Sequence, residues 1–195
     1  MDACPGVAAA SRQKAKQAMI ESSYGGPQNL PEISFTFSDT TRNRDRYQKL
    51  ADYYQTLFGL HIKINPVDLE SFAGMIKNSE TAPQLYISGW CADYPDPRDW
   101  LSFYWKTGTY GSRIGYSDPE VDNLLDKADA VLDPLERMQW YADAQRKIVE
   151  TAPAVFMYNS ENAYLIKPYV KNLISTAIDN SWAGILAANQ ITIQK

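Results

Sequence analysis

The chain has 195 residues, 45% of them hydrophobic and 22% charged, with 19 basic against 23 acidic side chains and a net charge of −4. That length suits one domain or slightly more. The ordinary apolar content excludes a disordered chain, and the missing basic excess argues against a nucleic-acid partner.

Met1-Asp2-Ala3-Cys4-Pro5 carries no signal-peptide pattern, so either the protein is cytosolic or the sequence starts past its targeting segment. Ser11 can cap a helix running to about Ser22, which Gly25-Gly26-Pro27 ends. Ile33 to Ser38 alternates apolar and polar residues and reads as a strand. Tyr47, Leu50, Ala51, Tyr54, Leu57 and Phe58 recur at helical spacing, with Gly59 at the helix end. His61 to Val67 is a second strand, Asp68 caps a short helix to about Lys77, and Gln84 to Gly89 is a third strand. This β-α-β-α-β order predicts a parallel sheet with covering helices, where ligands bind beyond the carboxyl ends of the strands.

The composition is also rich in rings: 5 Trp, 13 Tyr and 6 Phe. Tyr86, Trp90, Tyr94, Trp100, Phe103, Tyr104, Trp105 and Tyr110 crowd one window that opens where the third strand ends. Two helices with start signals follow. Ser117-Asp118-Pro119-Glu120 offers a capping box ahead of the stripe Val121, Leu124, Leu125, Ala128 and Leu132, and Asp133-Pro134-Leu135-Glu136 opens the next helix. Ala154 to Tyr158, Ala163 to Ile166 and Gln190 to Gln194 read as short strands.

Within the window, Gly89 to Trp100 carries three carboxylates, Asp93, Asp96 and Asp99. They allow three readings: a stiff loop whose aspartates cap turns, a carboxylate that meets a ligand ammonium between aromatic walls, or two-carboxylate acid–base chemistry of the glycosidase kind. Catalysis is disfavoured because no His or Cys base–nucleophile pair lies nearby. His61, the single histidine, reads as a structural strand residue, and no zinc-ligand spacing exists. Arg42, Arg44, Arg46 and Lys49 read as a solvated helix face. Cys4 and Cys91 are either free thiols or one disulfide. If bridged, the long loop corresponds to roughly 4–5 kcal/mol in the chain-entropy model.

Four stretches in register carry a resemblance: Gly89-Trp90-Cys91-Ala92-Asp93-Tyr94-Pro95-Asp96-Pro97, Tyr116-Ser117-Asp118-Pro119-Glu120-Val121-Asp122-Asn123-Leu124-Leu125, Ala142-Asp143-Ala144-Gln145-Arg146-Lys147-Ile148-Val149, and Ala152-Pro153-Ala154-Val155-Phe156. Lys14-Ala15-Lys16-Gln17-Ala18-Met19 and Pro31-Glu32-Ile33 extend it toward the N-terminus. Together they resemble the C-terminal lobe of the extracellular solute-binding proteins of ABC peptide and nickel importers. The resemblance implies an α/β lobe of the type II periplasmic-binding-protein fold, three-layer-like, with a central mixed sheet and helices on both faces. Residues 1–171 would form the ligand-binding lobe, and the tail 172–195 would return to the other, N-terminal lobe. It further implies recognition without catalysis; no cofactor is expected, and the spacing of Cys and His gives no metal site. The ligand would be a peptide or another small solute, delivered to the transmembrane permease subunits, at the extracellular face of the membrane (as a lipoprotein) or in the periplasm. Asp93 matches the position that pairs with a peptide's α-ammonium; Trp90, Tyr94 and Trp100 are candidate walls, with Cys91 beside them. The resemblance also favours a Cys4–Cys91 disulfide. The rival readings are a carbohydrate-active enzyme using Asp93, Asp96 and Asp99, and an interaction domain without a small ligand.

Overall fold

The structure is a computed structural model that describes residues 5–159, 165–173 and 189–194. The chain divides into two compact units, Met1–Ser88 and Gly89–Lys195.

In the first unit, α1 spans Pro5–Glu21. Ser11 therefore lies inside the helix and is not its cap: Ala8, Ala9 and Ala10 are strong helix formers that carry it back to Pro5, a residue suited to a first helical position. Next come β1 (Ile33–Ser38), α2 (Thr41–Phe58), β2 (Ile62–Val67), α3 (Leu69–Met75) and β3 (Leu85–Tyr86). The three strands form a parallel sheet in the order β2-β1-β3, with Phe35 opposite both Ile64 and Leu85. β1 is central, and Phe35, Thr36 and Phe37 are all buried, as expected for a parallel strand covered on both faces. Pro66, which has no N–H, sits on the edge strand β2, where a missing donor is tolerated. The Tyr47 ring packs on Phe35 and Phe37 at centroid separations of 4.9 and 4.7 Å. Thr40 caps α2 by accepting from the Asn43 amide. Gly59 closes it at φ 70, a left-handed conformation that glycine adopts without a Cβ penalty. β3 covers two residues of the predicted six.

The second unit contains two short helices, α4 (Pro97–Trp100) and α5 (Ser102–Trp105), a 3-10 turn at Tyr110–Ile114, and the hairpin α6 (Pro119–Ala130) and α7 (Pro134–Thr151). Its core joins Leu101 and Trp105 to Val121, Leu125 and Ala128 of α6 and to Tyr141, Ala144 and Ile148 of α7. The cap of α6 is Asp118, not Ser117. Pro119 takes the first helical position, so the residue before it caps, accepting from the Glu120 and Val121 amides at 2.9 and 3.2 Å. Asp133 caps α7 as expected.

α7 ends on Ala152 at φ 50, ψ 48, a conformation that costs an L-residue with a Cβ. Ala152→Gly is expected to raise stability by about 0.5–1 kcal/mol, the αL relief less glycine's entropy cost, as read by urea denaturation.

Ala154 to Tyr158 and Leu165 to Ile166 are not strands. Alternation makes a strand only with a ladder partner, and none exists for them among the described residues; Val155 is 76% exposed and Leu165 wholly so. Ala163 and Tyr164 lie outside the described residues. β4 (Val170–Lys171) and β5 (Thr192–Ile193) form a separate antiparallel pair, so the expected mixed sheet is, among the described residues, a parallel sheet and this two-stranded ribbon. Most of the tail expected to return to another lobe, residues 174–188, lies outside the described residues.

Candidate functional site

The segment after β3 is stiffened from its own sequence. Pro95 and Pro97 fix two φ angles, and the Asp96 amide donates back to the Tyr94 carbonyl at 2.9 Å. Asp96 then caps α4 by accepting from the Arg98 amide at 2.8 Å, with Pro97 at the first helical position.

The three carboxylates have three different fates. Asp99, one turn into α4, is fully buried. Its Oδ2 accepts from the Trp90 indole N–H at 2.9 Å and from the Asp93 backbone N–H at 3.2 Å, while its Oδ1 has no donor among the described residues. Asp96 receives a bidentate fork from Arg137 on α7, at 2.7 and 2.9 Å. That fork holds the Asp96 carboxyl below the usual carboxylate range, against a smaller opposing effect of burial and with help from the Arg98 amide. Asp93 is exposed, and its carboxylate makes no hydrogen bond or ion pair among the described residues. Two-carboxylate chemistry needs two available carboxylates; this segment presents one, which disfavours the carbohydrate-active reading.

Asp96 and Arg137 belong to a longer polar chain. Arg137 also donates to the Tyr141 hydroxyl at 3.0 Å, and that hydroxyl donates to Asp129 Oδ1 at 2.6 Å. Ser102 donates to the same oxygen at 3.0 Å, and Arg98 pairs with Asp129 Oδ2 at 3.5 Å. Burial, then the hydrogen bond to Asp129 and its charge, push the Tyr141 hydroxyl up to about 12. The loop is thereby fastened to both helices of the hairpin by bonds whose partners are far apart in sequence. None of Ser102, Asp129, Arg137 or Tyr141 carries a site signal in the sequence; the available hint is that Arg137 and Tyr141 share a helix face at i, i+4.

The aromatic window is mainly an internal cluster. Trp90 lies among Tyr110, Tyr104 and Phe103 at 4.6, 5.3 and 5.7 Å, the first two contacts edge-on. The Arg113 guanidinium sits 3.8 Å over the Tyr110 ring. Gly111 lets this turn approach α5, since a Cβ there would stand 3.0 Å from the Tyr104 carbonyl. Trp105 belongs to the core.

Of the candidate residues, the structure joins Trp90 and Asp93, through their shared partner Asp99. Tyr94 is half-buried, its hydroxyl 3.5 Å from Arg98, and Trp100 is 45% exposed at the end of α4. Neither has a hydrogen bond or ring contact to Trp90 or Asp93. Cys91 is exposed, and Cys4 lies outside the described residues, so the disulfide expectation does too. His61 is an exposed position just before β2, outside this segment, and Arg42, Arg44, Arg46 and Lys49 are exposed on α2. Among the described residues no cluster of His, Cys, Asp or Glu is arranged to hold a metal, and no helix is long and apolar enough to cross a membrane.

No family model matches the chain. Individual proteins do. It is 24% identical over 160 residues to the periplasmic oligopeptide-binding protein OppA of Salmonella typhimurium, covering 81% of this chain and 28% of that one. It is 23% identical over 176 residues to the dipeptide-binding protein DppE of Bacillus subtilis, covering 89% of this chain and 31% of that one. The chain thus spans under a third of the length of these relatives. Among solved structures, Burkholderia pseudomallei OppA superposes with a TM-score of 0.79 at 21% identity, over 96% of this chain and 35% of that one. Unliganded, open MppA, a periplasmic murein tripeptide-binding protein, gives 0.73 at 20% identity, over 87% and 32%. By sequence the chain is related to the peptide-binding proteins of the OppA and DppE kind, and its α/β fold is that of one part of their type II periplasmic-binding-protein architecture.

Proposed function

We propose that this chain is the ligand-binding lobe of a solute-binding protein of an ABC importer, and that its solute is a peptide. The observation that carries the reading is the exposed Asp93 carboxylate, unpaired among the described residues, on a loop whose other two carboxylates are already committed. A carboxylate held this way captures a peptide's terminal ammonium, an end that every linear peptide with a free N-terminus shares. Trp90, Tyr94 and Trp100 are the proposed apolar surroundings, with Cys91 in the same loop, and water-mediated contacts would admit varied side chains. The relatives' names support a peptide as ligand.

On this reading the work is recognition, not chemistry, and needs no cofactor. The whole protein has a second lobe that closes over the ligand by hinge motion. It acts outside the cytoplasmic membrane, in the periplasm or as a lipoprotein at the cell surface, and hands its solute to a permease. Residues 1–171 belong to the binding lobe, with 172–195 returning toward the other. Mass spectrometry of small molecules released from the natively purified whole protein is expected to find peptides. Sugars or metal chelates in their place would overturn the assignment.

The reading also includes a Cys4–Cys91 bridge, which an oxidising compartment permits. In native, non-reduced protein both cysteines are expected to resist a thiol-alkylating reagent, and both to react after reduction and unfolding. Alkylation of both without reduction would exclude the bridge.

A further inference from the structure

We propose that Asp99 is a positioning residue that presets the loop bearing Asp93, acting as a hydrogen-bond acceptor and never touching the ligand. The inference deepens the peptide reading and rests on it for its ligand. A single oxygen, Asp99 Oδ2, draws together the indole N–H of Trp90 and the backbone N–H of Asp93. These groups flank the part of the loop between Trp90 and Asp93, so the bridge closes that stretch on itself before any ligand arrives. Trp90 is in turn wedged among Tyr104 and Tyr110. The Asp93 backbone is thereby referenced, through one buried atom, to the aromatic cluster. Preforming a binding loop in this way removes an ordering cost from each binding event.

The arrangement is not what stability alone would select. A fully buried carboxylate with one oxygen lacking a donor among the described residues carries a desolvation penalty that an apolar residue of similar size would avoid. Asp99 is also withdrawn from solvent, which excludes direct contact with a ligand. What the carboxylate supplies is an acceptor with room for two donors at one oxygen. Asn supplies the same acceptor oxygen without the charge. Its amide nitrogen would take the place of the oxygen that has no donor. Asp99→Asn therefore separates the acceptor role from the charge, and Asp99→Ala removes both.

The test has two arms. In the 195-residue chain, amide and indole NMR spectra report the Asp93 N–H and the Trp90 Nε1–H directly. Asp99→Asn is expected to leave both protected from hydrogen exchange. Asp99→Ala is expected to abolish the Asp93 protection and shift the Trp90 indole resonance, with the methyl resonances of Val121, Leu125 and Ile148, in the core of the same unit, unchanged as the control for folding. In the whole protein, the ratio of affinities for trialanine and N-acetyl-trialanine is expected to be retained in Asp99→Asn. The same ratio is expected to fall about tenfold in Asp99→Ala, the lower end of a charged hydrogen bond's worth. Protection of the Asp93 amide surviving in a folded Asp99→Ala variant overturns the proposal. So does Asp99→Asn behaving like Asp99→Ala, because the charge would then be the operative property. If the parent protein makes no distinction between the two peptides, it is the ammonium reading of Asp93 that fails, and the spectroscopic arm still decides the role of Asp99.

Discussion

Replacing Asp93 with Asn in the whole protein is expected to weaken a free-amine peptide by about 10- to 100-fold and to leave its N-acetylated form nearly unaffected. The size follows from the interaction removed. A hydrogen bond to a charged group contributes roughly 1.5–3 kcal/mol net, and each 1.4 kcal/mol is about tenfold in affinity. The selectivity follows from the geometry. Asn keeps the volume and one acceptor oxygen, and the Asp93 backbone N–H keeps its bond to Asp99. The loop therefore stays in place while the charge goes. An acetylated peptide has no ammonium to lose, so its affinity is the internal control for misfolding. Isothermal titration calorimetry on the two peptides reads both numbers. Equal losses would exclude the pairing and reassign Asp93 to loop structure.

That separation among three aspartates was not available from the sequence, and the reason is physical. At positions 93, 96 and 99 the residue type and solvent-loving character are the same. What distinguishes them is whether a partner arrives from elsewhere in the chain. Arg137 reaches Asp96 from α7, and the Trp90 indole reaches Asp99 through the aromatic cluster. Local rules did reach the elements whose causes are local. Asp68 and Asp133 cap helices because short acidic side chains accept the amides that a first turn leaves over. Gly59 ends α2 because it alone enters the left-handed region freely. Phe35 and Phe37 read as a strand because β-period alternation met a real ladder. The same alternation at Val155 and Met157 met none among the described residues, so it produced a strand expectation without a strand. The aromatic window shows both sides. Its placement was legible, yet Trp90, Tyr104 and Tyr110 face one another more than they face solvent, a property of packing that no spacing rule encodes.

Arg137→Ala is expected to destabilise the protein by about 2 kcal/mol at neutral pH, and by clearly less below pH 3. Its guanidinium makes two hydrogen bonds to Asp96 and one to Tyr141. The pair is one-quarter and one-third exposed, which places its worth below that of a fully buried pair and near the middle of the range for charged hydrogen bonds. The sign of the pH dependence follows from Asp96, whose folded-state pKa is lowered below the ordinary 3.8. A depressed carboxylate contributes stability that is fully present above its unfolded value and is lost as pH falls through the folded one. The wild-type advantage over Arg137→Ala should therefore hold from pH 7 to about 5 and shrink as Asp96 protonates. Arg137→Lys keeps the charge but loses the planar fork, so it should recover less than half of the loss. Urea denaturation at pH 7 and pH 2.5 measures both effects. A loss of the same size at the two pH values would mean that Arg137 acts through the packing of its alkyl chain, and that the fork on Asp96 does little to hold the loop against α7.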